Sequence, residues 1–406
     1  MTGLISDRLK AKITVDANRY GRSDRSPMGR WFWEIDRVLL LLIAALIGIG
    51  LIAVAAASPA AAVRYSGGSV SFAELYYFYR QIAWIAVGIP VMIAISMLSR
   101  ERARRFSLFG AAFFFVLLLF VPLFGPEING ARRWLQTGVG QLQPSEFLKP
   151  FYVVAMAWLL GLREADKSLP VHAISAILTG AIAFLLMRQP DFGSTIIFAA
   201  VWIAMLAIAG VSLRMLGLLA AAAVVGVVMA YFFYDVATLR IDGFLFGQGD
   251  TFQTDNAMRT LTAGGLFGMG PGAGTRKFGL PEPHTDYIFS VIGEEFGLIA
   301  CLAIALLYLT IVARVLVKLL DEDSPFAILA AAGLVIQFGL QALINMAVNV
   351  QIAPSKGMTL PFISYGGSSM LALSIGMGLL LAFTRRNPYL TRSPYVVKWS
   401  GESQPA

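Results

Sequence analysis

A chain of 406 residues that is 57% hydrophobic and 14% charged, with a mean hydropathy of +0.71, lies outside the range of soluble globular proteins. Its formal charge of +8 gathers beside apolar runs, which marks membrane topology and attraction to anionic headgroups and gives no ground for nucleic-acid binding. A single cysteine, Cys301, permits no intrachain disulfide, and two histidines with one thiol do not support a protein-built metal site.

Apolar runs of spanning length, roughly 17 to 25 residues, recur about ten times. Their cores cover residues 38–57, 82–98, 106–124, 147–162, 173–187, 195–209, 215–234, 288–317, 326–350 and 369–383. The runs are continuous rather than alternating, so helices and not a closed barrel satisfy the backbone. The expected fold class is all-α, a polytopic membrane helical bundle with about ten transmembrane helices over residues 38–385. Polar cytoplasmic tails, 1–37 and 386–406, flank it. The first run follows a long polar stretch and exceeds the apolar core of a signal peptide, so no cleavage is expected.

Lysines and arginines set the orientation. With the N-terminus inside, one side collects the tail, the tight loop with Arg100, Arg102, Arg104 and Arg105, then Arg163, Lys167, Arg214, Arg314, Lys318 and the C-terminal cluster. That side holds more than twice as many cations as the other, which places both termini in the cytoplasm of a cell inner-membrane protein. Outward loops then follow the first, third, fifth, seventh and ninth helices. The largest, about 235–285 between helices 7 and 8, has many glycines and no spanning segment, a length that marks a functional or disordered loop.

The outward loop after helix 3 carries Asn129-Gly130-Ala131-Arg132-Arg133-Trp134 and leads into Gln143-Pro144-Ser145-Glu146-Phe147-Leu148-Lys149-Pro150. Paired guanidiniums beside an interfacial tryptophan suit a pyrophosphate headgroup, and equally suit ordinary lipid phosphates and an aromatic belt. Glu146 and Lys149, three residues apart at the start of a spanning helix, share a face and can pair. Asp191, in Gln189-Pro190-Asp191-Phe192-Gly193-Ser194, fits a helix N-terminus as well as a substrate contact.

The large loop holds Gly268-Met269-Gly270-Pro271-Gly272-Ala273-Gly274-Thr275, without the strand or the Gly-Lys-Ser/Thr ending of a nucleotide site. It closes with Pro281-Glu282-Pro283-His284-Thr285-Asp286-Tyr287, running into an apolar helix that carries Glu294 and Glu295. A carboxylate at that mouth, partly desolvated by Tyr287 and Phe289, suits a general base with a raised pKa, while Thr285 or Asp286 suits a helix cap. The last outward loop, with Lys356, its prolines and its glycines, reads as folded or re-entrant. Asp321-Glu322-Asp323 falls on the cytoplasmic side and reads as a solvated loop.

Taken together, NGARRW, QPSEFLKP, QPDFGS, PEPHTDYIFSVIGEEFG and PSKGMTLPFISYGGSS resemble the SEDS family, of which FtsW is the division and RodA the elongation member. The long N-terminus, the NGARRW form and Lys356 resemble the division member more. The resemblance implies a peptidoglycan glycosyltransferase that polymerises lipid II into glycan strands at the outer face of the inner membrane during septal synthesis. The acceptor hydroxyl displaces undecaprenyl pyrophosphate with inversion.

It further implies Asp286 as catalytic base, Arg133 and Lys356 as pyrophosphate contacts, Trp134 as a wall of the lipid-sugar site, and Glu146 with Lys149 as a pair organising the cavity. The implied partners are lipid II, the nascent glycan strand, a class B penicillin-binding protein and division regulators. No cofactor is required, although Mg²⁺ or Mn²⁺ can accompany the substrate pyrophosphate. Residues 242–254 depart from the family pattern. A lipid II flippase and a non-catalytic scaffold are the competing readings; the first predicts ionisable residues at the bilayer midplane, whereas the charges here cluster at the outer edge.

Overall fold

The computed structural model describes residues 27–67, 71–127, 130–138, 140–247, 252–355 and 357–385. The expected tails lie mostly outside these residues. A short amphipathic helix, α1 (Pro27–Glu34), nevertheless occupies a stretch for which the sequence offered little periodicity. The helices that follow are α2 (Arg37–Tyr65), α3 (Tyr76–Ser96), α4 (Arg100–Phe124), α5 (Pro144–Ala165), α6 (Val171–Arg188), α7 (Phe192–Ile208) and α8 (Leu213–Phe233). After them come α9 (Asp235–Phe246), α10 (Phe252–Ala263), α11 (Ile288–Leu319), α12 (Pro325–Asn349) and α13 (Gly367–Thr384). A hairpin of β1 (Leu135–Thr137) and β2 (Gly140–Leu142) stands before α5.

Among the described residues, nine helices are long and apolar enough to span a membrane, and α7 is a shorter apolar helix at the sixth of the ten expected positions. Local chemistry sets where they begin. Asp36, Ser99, Asp191, Ser212 and Ser324 each accept a hydrogen bond from a first-turn amide, and Pro144 and Pro325 occupy first-turn positions where a missing N–H costs nothing.

The core of the bundle is α5, α12 and α13, which bury most of their length; α8 buries none of its residues and presents Val224, Val225 and Phe232 outward. Such an apolar exterior is stable only where hydrocarbon replaces water. At one end, ion pairs tie helix termini together: Asp36 with Arg314 and Lys318, Arg100 with Glu322, and Arg385 with Glu34. Glu322, expected in a solvated loop, is therefore engaged in an ion pair.

The other end is built from chain that re-enters the bundle. Between α12 and α13, Leu360, Phe362 and Ile363 are buried, and Tyr308, deep in α11, donates to Pro361 O. The expected large loop is largely ordered around α9, α10 and a 3₁₀ turn (Arg276–Gly279). Its glycine segment wedges into α11, which the sequence presents as one continuous run but which breaks at Gly297 (φ 83°). Leu298 N and Ile299 N donate to Gly265 O and Leu266 O; Glu294 O and Glu295 O accept from Met269 N and Gly270 N. The wedge thus replaces, bond for bond, the helical pairs that the break removes.

Candidate active site

The segment before α11 is held residue by residue. Tyr365 N donates to His284 O at 2.8 Å, Ser364 Oγ to Thr285 O at 2.6 Å, and the amides of Asn345 and Asn349 to Asp286 O at 2.9 and 3.0 Å. Glu282 anchors the other flank by accepting from Tyr65 Oη at 2.6 Å and Thr285 Oγ1 at 2.9 Å. The N-cap of α11 is Tyr287, with no side-chain capping bond. Capping therefore does not account for Asp286, whose half-buried carboxylate takes no hydrogen bond or ion pair from the described residues.

Burial and the nearby negative charge of Glu282 push the Asp286 carboxyl up to about 7, against the opposing pull of Arg133 and Arg240. Arg133 comes from the loop before β1. Its Nε donates to Gln189 O at 3.3 Å and its Nη2 to Pro190 O. A Cβ built on Gly357 would stand 3.2 Å from Asp286 Oδ2 and 4.0 Å from Arg133 Nη1, so carboxylate and guanidinium flank one open point.

Arg240, on α9, reaches the same region electrostatically, and burial, followed by the Arg133 charge, pulls its pKa down. It makes no hydrogen bond or ion pair among the described residues. Tyr234, at the start of α9, donates to Met187 O at the end of α6, which brings that helix beside the Gln189–Pro190 turn that Arg133 holds.

Glu146 and Lys149 pair at 2.6 Å in the first turns of α5, and Lys149 also donates to Gln341 at 3.3 Å. The negative charge of Glu146 is within reach of Asp286 and raises its pKa. Trp134 is half-buried beside Arg133, with no hydrogen bond or ring contact to the site among the described residues. Arg132 turns outward to Glu127 and Pro122 O. Asp191 caps α7 through Ser194 N. Lys356 lies outside the described residues.

Glu294 and Glu295 are engaged by the glycine segment and not by Asp286. Both are buried under the glycine segment: Glu294 accepts from Arg276 N and Lys277 N, while Glu295 accepts from Gly272 N and pairs with Lys277. That segment is a structural wedge clamped by carboxylates, a role opposite to phosphate cradling.

A profile of the FtsW/RodA/SpoVE family, described as cell cycle protein, matches residues 37–389. The chain belongs to this family. A relative named probable peptidoglycan glycosyltransferase FtsW, from Caulobacter vibrioides, is 39% identical over 91% of this chain and 94% of its own. Another of the same name, from Alkalilimnicola ehrlichii, is 35% identical over 89% and 92%. Among solved structures, a chain of a peptidoglycan synthase complex that coordinates polymerization and crosslinking superposes with a TM-score of 0.71, at 26% identity over 86% of this chain and 97% of that one. The rod shape determining protein RodA of Thermus thermophilus gives 0.63, at 27% identity over 86% and 96%.

Sequence reading of this FtsW/RodA/SpoVE member missed Arg240 and the amides on α12. Arg240 sits just before residues 242–254, outside the motifs that carry the family resemblance. The amides had a signal: Gln337, Gln341, Asn345 and Asn349 recur every four residues in an otherwise apolar run and so share one helix face. What the site offers chemically is a carboxylate able to take a proton near neutrality, beside two guanidiniums able to hold a polyanion.

Proposed function

We propose that this protein is a peptidoglycan glycosyltransferase that polymerises lipid II. The observation that carries the reading is the convergence of Asp286 and Arg133 on the open point above Gly357. Asp286 removes the proton from the C4 hydroxyl of the acceptor's N-acetylglucosamine as that oxygen bonds to the anomeric carbon of the donor's N-acetylmuramic acid. The anomeric bond to phosphate breaks, the configuration inverts, and undecaprenyl pyrophosphate leaves as the anion. A pyrophosphate needs charge stabilisation rather than a protonated acid, and Arg133, Arg240 and Lys356 supply it.

Trp134 walls the lipid-sugar site, and Glu146 with Lys149 shapes the cavity beneath. Glu282 and Glu146 are already committed to hydroxyl donors and to Lys149. Mg²⁺ or Mn²⁺ would therefore enter on the substrate pyrophosphate, with Asp286 as at most a single protein ligand and the rest of its shell from phosphate and water. The end rich in Arg37, Arg100, Arg314, Lys318 and Arg385 faces the cytoplasm, by the excess of cations there. The catalytic end then faces outward, at the division septum, where a class B penicillin-binding protein crosslinks the strands as they emerge and division regulators act on the pair.

Polymerisation of labelled lipid II by the purified protein with its transpeptidase partner tests this, wild type against Asp286→Asn with fold and complex formation checked. Glycan strands from wild type alone support the reading. Equal product from both removes Asp286 as base, and no product from either favours a flippase or a scaffold.

A further inference from the structure

Four amide side chains, at positions 337, 341, 345 and 349, line one face of α12. The last three hold the outer end together. Gln341 accepts from Lys149 and donates to Thr359 O at 3.2 Å; Asn345 donates to Met358 O at 2.6 Å and Asp286 O at 2.9 Å. Asn349 donates to Asp286 O at 3.0 Å and accepts from both the amide and the hydroxyl of Ser290. Asn345 and Asn349 are 2% and 0% exposed, so these bonds face no competition from water. Their amide orientation is unambiguous, because Asn345 reaches two carbonyl oxygens and Asn349 Oδ1 receives a backbone N–H.

Extending α11 by one turn would give Ser290 N to Asp286 O. Ser290 N is instead shared between Asn349 Oδ1 and Tyr287 O, both at 3.1 Å, and Asn349 with Asn345 takes over the carbonyl thereby released. Asp286 is thus kept outside the helix with its main chain fixed from α12. Through Met358 O, the same Asn345 ties it to the loop bearing Gly357, the floor of the open point between Asp286 and Arg133.

We infer that Asn345 and Asn349 are positioning residues for the base: they fix the Asp286 backbone and register it against the 357–359 loop. This rests on the reading of Asp286 as the base. A misplacement of about 1 Å at the reacting groups costs up to about a hundredfold in rate. The bonds end on the main-chain carbonyl and not on the carboxylate, so their loss displaces the base without changing its acidity.

The experiment compares Asn345→Leu, Asn349→Ala and the double variant in the full-length protein with its transpeptidase partner, using lipid II polymerisation for kcat, KM and the pH profile, and melting temperature for the folded fraction. Each single variant is expected to lose about tenfold in kcat per folded protein, with KM and the acid-limb pKa unchanged. The double variant loses more than the product of the two, because each amide backs up the other on one oxygen. In an Asp286→Asn background neither lowers the residual rate further. Should Asn345→Leu not accumulate, Asn349→Ala alone carries the test, since Asn345 remains on the same carbonyl. Wild-type kcat per folded protein in the variants, or an equal further loss in the Asp286→Asn background, overturns the inference. If Asp286→Asn is dead while the amide variants are active, only this inference falls; if Asp286→Asn keeps the wild-type rate, the base assignment falls and takes this with it.

Discussion

Asp286 Oδ2 and Arg133 Nη1 look onto the same open point, 3.2 and 4.0 Å from where a side chain on Gly357 would begin. A methyl group there occupies the place of the reacting atoms and presses on the carboxylate. Gly357 is exposed and its backbone is not in the left-handed region, so the fold tolerates alanine. Gly357→Ala is expected to keep the wild-type melting temperature and to lose roughly ten- to a hundredfold in polymerisation rate. A rate unchanged within about twofold would place the reacting atoms elsewhere.

The pH dependence follows from the environment of Asp286. With its carboxyl raised to about 7, it is the protonated form that accumulates below neutrality, and a base must be ionised to act. Polymerisation per folded protein should therefore climb about tenfold per pH unit below 7 and level off above it. Glu282→Gln removes the negative neighbour that raises this pKa, so the rising limb should move to lower pH.

The same shift has a cost in stability. An acid whose folded pKa is raised favours folding while protonated, and that contribution is lost as pH rises through about 7. Above that pH the wild type carries a desolvated charge that asparagine lacks. Asp286→Asn should melt higher than wild type at pH 8, and the gap should close toward pH 4. Melting curves in detergent at both values decide it.

Arg240 separates the substrate role of a cation from a structural one. It makes no hydrogen bond or ion pair among the described residues, whereas Arg133 also holds Gln189 O and Pro190 O. Arg240→Gln should leave the melting temperature unchanged or raise it, because burial beside Arg133 disfavours its charge, and should cut kcat/KM for lipid II roughly ten- to a hundredfold. Arg133→Lys should lower both activity and stability, since an ammonium cannot span two carbonyls and still face the pyrophosphate.

What the sequence made legible follows the range of the interactions involved. The spans are local: continuous apolar runs with a serine, an aspartate or a proline at the start, as for Asp36, Ser324 and Pro144, announce themselves. Glu146 and Lys149 were legible for the same reason, three residues apart on one helix. Asp286, Arg133 and Lys356 came from motif resemblance, because residue chemistry alone left Asp286 as fit for a cap as for a base. The Asn345–Asn349 support and the inward turn of Glu294 and Glu295 depend on segments far apart in the chain. Uncharged amides in an apolar run, and glutamates beside a catalytic motif, do not reveal their partners.

The break in α11 is the clearest long-range case, and it yields a decisive test. Glycine inside an apolar run reads as an ordinary helix position, yet Gly297 has φ 83°, and a Cβ there would stand 2.3 Å from Leu266 O and 2.5 Å from Gly268 N. Both are backbone atoms of the wedge, which cannot retreat without surrendering the bonds that replace the helical pairs of Leu298 and Ile299. Gly297→Ala should therefore cost about 3 kcal/mol or more, from backbone strain and displacement of the wedge combined. The buried Lys277–Glu295 pair clamps the same wedge, and Lys277→Met, by stranding a charge, should cost about 3–5 kcal/mol. Lys277→Met with Glu295→Leu removes both charges and should recover part of the loss. Because Ile288 to Phe296 carry Asp286 as one unit anchored by the wedge, Gly297→Ala should also expose the 235–285 region to protease and abolish polymerisation. A stable, active, protease-resistant Gly297→Ala protein would mean that α11 runs straight and that the wedge is dispensable for placing the base.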